Sequence, residues 1–85
     1  MKKIEALILV FLRRKKSDNP IKAITLYALP SEEWHLKENT LYKYLQGLVK
    51  NGLVKNGLQD GKSKTFYITE LGLKELKKLE DLDNV

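Results

Sequence analysis

Cysteine is absent from the 85 residues, which excludes disulfide staples, thiolate metal sites and cysteine nucleophiles. Histidine occurs once, at His35, with no partner of metal-ligand type nearby. It therefore reads as structural or exposed, and neither a metal site nor a cofactor is expected. Proline occurs twice and glycine five times, too few for a low-complexity linker. Long apolar runs are missing as well: the longest, Ala6 to Leu12, has seven residues, against roughly 20 needed to span a bilayer. Arg13-Arg14-Lys15-Lys16 follows that run where a signal peptide would place small residues. The expectation is one soluble cytoplasmic domain, residues 1–85, with no membrane partner.

What is present is basic charge, unevenly spread. The net charge is +5. Residues 1–16 carry six basic side chains against Glu5, and residues 53–69 carry Lys55, Lys62 and Lys64 against Asp60. Residues 70–85 are net acidic. Positive charge thus gathers at the N-terminus and in one later segment, as a polyanion partner requires; solvated surface lysine is the bland alternative.

The spacing of Ile4, Leu7, Ile8 and Phe11 predicts a first helix over Lys2 to about Lys16. Leu9 and Val10 fall off that face, so the helix is apolar nearly all round and expected to be buried from two sides, the second being another subunit. Asn19 as cap and Pro20 at the first helical position predict a second helix to about Ala28, burying Ile21, Ile24 and Leu29 and closed by Pro30. Residues 31–36 form a turn whose Trp34 and Leu36 plug the core.

A third helix is predicted over about Glu38 to Asn51, with Leu41, Leu45 and Leu48 on its core face and Tyr44 on the flank. The opposite face presents Asn39, Lys43, Gln46, Gly47 and Lys50, with Thr40 and Tyr42 at its edges. Asn and Gln can pair with adenine bidentately, Lys can reach guanine or phosphate, and Gly47 would let a backbone approach. An ordinary solvated face is the alternative, but it leaves a mid-helix glycine as an unexplained cost of about 1 kcal/mol, and the segments that follow favour a nucleic-acid-reading face. Gly52 suits the C-cap. Leu53-Val54 opens a strand, Thr65 to Ile68 returns it, and Asp60-Gly61 marks a hairpin turn, with Asn56-Gly57 as a competing site. Lys62, Ser63 and Lys64 decorate the tip. Thr69 caps a last helix striped with Leu71, Leu73, Leu76, Leu79 and Leu82.

Helix, two-stranded ribbon and helix in that order describe a mostly α, α+β winged helix-turn-helix: three helices, a β-hairpin wing and a C-terminal helix. Thr40-Leu41-Tyr42, Leu45, Leu48, Gly52-Leu53-Val54, Tyr67, Thr69 and Gly72 resemble the PadR-like, MarR-related branch of winged-helix transcriptional regulators. Two departures stand out: Pro20-Ile21-Lys22 replaces that family's Gly-Tyr, and the chain stops at Val85 without its long C-terminal dimerisation region.

The resemblance implies a DNA-binding homodimer, and the role expected of it is that of a repressor-type regulator at the nucleoid. The third helix, 38–51, would read the major groove of double-stranded DNA, and the wing, 54–68, would follow the backbone or minor groove. The residues expected to touch DNA are Lys37, Asn39, Thr40, Tyr42, Lys43, Gln46, Lys50, Lys55, Lys62, Ser63 and Lys64. The first and last helices are expected to form the dimer. Small winged helices also serve plasmid or viral partition and replication by binding centromere-like or origin repeats, and others bind a partner protein. Gly61-Lys62-Ser63 only echoes a phosphate-binding loop, being in a hairpin rather than before a helix, and no catalytic constellation is visible. An enzyme is not expected.

Overall fold

In the computed structural model, which describes residues 1–59 and 61–83, α1 (Lys3–Arg14) lies at the centre. It packs against α2 (Glu38–Lys50), α3 (Glu70–Asp83) and β3 (Thr65–Ile68). Glu5 accepts a 3.0 Å hydrogen bond from the Lys2 backbone N–H, closing the N-terminal turn. At the other end Ser17 N–H bonds to Leu12 O and Lys16 N–H to Arg13 O, with Lys16 at φ 57°. That is a left-handed helix stop built without glycine. Ile8, Leu9 and Leu12 are fully buried. Leu9, expected to meet a second subunit, is thus buried within the chain, while Leu7 and Val10 stay partly exposed.

The predicted second helix does not form. Asn19 does cap: its Oδ1 accepts the N–H groups of Ile21 and Lys22 at 3.0 Å each. The turn stops there, because Ile24–Thr25 pairs as β1 with Phe66 and Thr65 of β3. A 3₁₀ turn at Leu26–Ala28 follows, and then a turn in which Trp34 N–H reaches Pro30 O and Leu36 N–H reaches Ser31 O. Ile21 is left 86% exposed rather than buried, while Leu29 is buried. β-branched Ile24 and Thr25 favour the strand. Trp34 packs edge-on against Phe11 of α1 and, with Leu36, lines the core.

The sheet is therefore three-stranded and antiparallel, in the order β1-β3-β2, with β2 at Val54–Asn56. Val54 pairs with Ile68 and Asn56 with Phe66, so the wing loop runs over residues 57–64. It is broader than either tight turn anticipated; Asp60 of the Asp60-Gly61 turn lies outside the described residues. Ser17 is wholly buried, donates from Oγ to Phe66 O at 3.0 Å and accepts the Ile68 N–H at 2.8 Å, joining the end of α1 to the sheet.

Gly52 ends α2 at φ 77°, with Leu53 N–H on Leu48 O and Gly52 N–H on Val49 O. Thr69 starts α3: its Oγ1 accepts the Gly72 N–H at 3.0 Å and donates to Gly52 O at 2.7 Å. The end of α2 and the start of α3 are thus tied through one hydroxyl.

Arg13 closes α1 onto α3 through two parallel bonds to Glu80, 2.6 and 2.7 Å. The guanidinium hydrogen bonds hold the Glu80 carboxyl below its usual range. A carboxylate depressed in the folded state stabilises at pH above its unfolded value, and that contribution disappears as pH falls through the folded one. The pair is exposed, so the effect is modest. Melting temperature followed from neutral pH into the acid range should fall less steeply for Glu80→Gln than for the parent. Parallel curves would show that the pair carries no linkage.

Candidate nucleic-acid interface

On α2, Leu41, Leu45 and Leu48 are completely buried while Asn39, Thr40, Lys43, Gln46 and Lys50 are exposed. The amphipathic reading of the helix therefore stands, and Lys37 is exposed just before its first turn. The exposed residues divide between two hollows. Thr40, Lys43 and Gly47 border one of about 430 Å³ together with Lys2 and Glu5 of the α1 end. Gly47 has open space where a side chain would stand, and it faces this hollow rather than the wing.

Tyr42, Gln46 and Lys50 border the other side, a hollow of about 250 Å³ closed by Asn56 and Phe66 of the sheet and Lys64 of the wing loop. Lys62 and Ser63 line the next hollow along, again with Tyr42 and Lys64. Helix and wing thus meet across a cleft. Among its described lining residues none is a carboxylate. Lys64 Nζ lies 3.3 Å from Tyr42 Oη and 5.9 Å from the centre of the Tyr42 ring.

Lys55 stands apart. Val54 is buried and successive strand residues alternate, so Lys55 projects from the sheet face turned away from α2. Two residues not anticipated from the sequence join the site: Asn56, on the α2 side of β2, and Lys2, beside Lys43. Asn56 shares the parity of Val54, which was the available signal; the approach of Lys2 to Lys43 depends on how α1 crosses α2 and has no local signal. Acidic residues bound the region at one end, where Glu32, Glu33 and Glu38 share a hollow with Tyr27 and Pro30. Among the described residues no cluster of His, Cys, Asp and Glu could hold a metal ion, and no helix is long and apolar enough to cross a membrane.

Residues 31–85 match the family model described as winged helix-turn-helix. The same fold recurs in TubR from Bacillus megaterium pBM400, with a TM-score of 0.75 and 23% identity over 92% of this chain and 86% of that one. The DNA-binding TubR fragment from Clostridium botulinum, solved in solution, superposes with a TM-score of 0.72 and 30% identity, covering 93% of this chain and 96% of the fragment. No curated protein matches the sequence. The chain belongs to the winged helix-turn-helix family.

Proposed function

We propose that this member of the winged helix-turn-helix family binds double-stranded DNA sequence-specifically, with α2 in the major groove and the wing along the adjoining backbone or minor groove. The observation that carries the reading is the cleft in which Gln46 and Lys50 of α2 meet Lys64 of the wing, with no carboxylate among its described lining residues. A helix fits the major groove, whose base edges Asn39 and Gln46 can read as amides and Lys43 as a donor. Lys37, Thr40, Lys50, Lys62, Ser63 and Lys64 are placed to hold phosphates, and Lys55 reaches DNA only where it wraps past the wing. No enzymatic step belongs to this reading.

Of the possible roles, recognition of repeated sites in plasmid partition is supported by likeness over nearly the whole chain to the DNA-binding TubR fragment. A PadR-like, repressor-type regulator is the second reading, favoured by the run from Thr40-Leu41-Tyr42 to Gly72. Either role places the protein at the nucleoid. Both employ a homodimer, for which Leu71 and Leu82 on α3 remain exposed at 46% and 69% and Leu7 and Val10 on α1 remain partly exposed. Footprints at several phased sites support partition; a single promoter operator supports repression.

Salt dependence tests the DNA reading itself. Each neutralised phosphate contributes roughly −0.9 to the slope of log K against log salt. Engagement of most of the site's lysines gives a slope of roughly −4 to −5 per chain. Absence of binding to any duplex from a random library at low salt would refute the proposal.

A further inference from the structure

The Tyr42–Lys64 contact occupies a particular place: it divides the helix–wing cleft into the two hollows that Tyr42, Lys64 and Phe66 share. Tyr42 is half-buried on α2, whereas Lys64 is exposed on the wing. The Tyr42 hydroxyl holds the ammonium group, which lies beyond the hydroxyl end of the ring. A free lysine side chain samples many rotamers, and this contact restricts one of them before any ligand arrives. On the α2 side of the bridge the hollow of about 250 Å³ is bordered by Lys50, Gln46 and Asn56 as well as Lys64. It thus offers two cations and two amides from two different elements. Asn56 Nδ2 already donates to Thr65 O at 3.2 Å, which fixes the side chain beside the hollow.

We propose that this hollow seats one phosphodiester of the DNA backbone between Lys50 and Lys64, and that Tyr42 is the positioning residue that sets Lys64 there. The inference rests on the DNA-binding reading. A duplex presents one backbone strand between its major and minor grooves, so a helix in one groove and a wing beside it place that strand in the cleft between them. Tyr42 itself is not required to touch DNA. Its hydroxyl couples the wing to α2, so that the two elements meet the backbone as one surface.

The test is a double-mutant cycle on duplex affinity, read with salt dependence, for Tyr42→Leu, Lys64→Ala and the double variant, using duplexes selected by the parent chain from a random library. Lys64→Ala should lower affinity about eightfold near 0.1 M salt and flatten the salt slope by about 0.9. Tyr42→Leu should flatten the slope in the same direction although it removes no charge, and the double variant should bind no worse than Lys64→Ala alone. Tyr42→Phe removes only the hydroxyl and should flatten the slope as Tyr42→Leu does, which holds the test open if the leucine variant misfolds. Lys50→Ala should flatten the slope independently.

Multiplicative losses in the double variant overturn the positioning role. So does a Tyr42→Leu or Tyr42→Phe variant with weakened affinity and an unchanged slope, since that describes a direct uncharged contact. An unchanged slope in Lys64→Ala or Lys50→Ala overturns the phosphate seat. A parent chain that selects no duplex overturns the DNA-binding reading and the proposal together, an outcome distinct from the other three.

Discussion

Reversing two charges on α2, Lys43→Glu with Lys50→Glu, is expected to abolish duplex binding while the chain stays folded. Both side chains are exposed, and neither takes part in the buried leucine face of the helix. Glu and Lys have similar helix propensity. The one structural cost is at Lys50, in the last turn of α2, where a carboxylate meets the negative end of the helix dipole and loses about 0.3–1 kcal/mol. A shift of a few degrees in melting temperature is therefore expected, without loss of the cooperative transition.

The effect on DNA is far larger. Each lysine that releases one counterion contributes a factor of about eight near 0.1 M salt. Losing two removes about sixtyfold, and two carboxylates facing phosphates add repulsion to that. A drop of about a hundredfold or more in affinity follows, measurable by titrating labelled duplex with folded variant. The two sites are distinguishable: Lys50 borders the wing cleft, while Lys43 borders the hollow beside Lys2. A folded double variant with unaltered affinity would move the functional reading to protein interaction, the rival class of winged helix.

How much of this was legible beforehand follows from the range of the interactions. α2, the two wing strands and the caps at Gly52 and Thr69 rest on neighbours a few residues apart, and the structure has them where the periodicity and capping residues place them. The stretch from Pro20 to Ala28 went differently. Its cap at Asn19 is a local signal and formed; the helix beyond it competed with pairing to Phe66 and Thr65, about forty residues downstream. Nothing between positions 19 and 30 announces that partner except the β-branched pair Ile24-Thr25.

The candidate site divides in the same way. Which α2 residues are exposed was readable from the 100° step. Which of them share a cleft with the wing was not, because Asn56 enters and Lys55 leaves on the register Val54↔Ile68. A shift of one residue would exchange them. Leu9 looks surplus in the sequence for a related reason: the elements that bury it pack against α1 from far along the chain.

Gly72→Ala is expected to be the most destabilising single methyl addition among the glycines of α2 and α3. A Cβ there would stand 2.3 Å from Leu53 O and 2.7 Å from Ile68 Cγ1. The nearer atom is backbone and cannot rotate away. Leu53 O is also the acceptor of the Thr69 N–H at 3.1 Å, and Thr69 in turn caps α3 and bonds Gly52 O. Lifting the first turn of α3 to make room therefore stretches the joint between α2 and α3.

Overpacking of this kind costs about 1–3 kcal/mol, and a lost hydrogen bond about 1 kcal/mol more. Better helix propensity returns at most about 1 kcal/mol. A net loss of about 1–4 kcal/mol is large against a total of about 4–13 kcal/mol for a chain of this length, and lowers the melting temperature by at least about 4–8 °C. Gly47→Ala is the matched control, because nothing lies within 4 Å of its added methyl. Relieved of the glycine penalty, that variant should melt above the parent, by up to about 1 kcal/mol of stability. Thermal unfolding of the two variants side by side separates the roles: one glycine is required by a backbone contact, the other only leaves space beside α1. A Gly72→Ala variant as stable as the parent would mean that α3 is free to shift on Leu53, and the joint through Thr69 would not be what fixes the last helix.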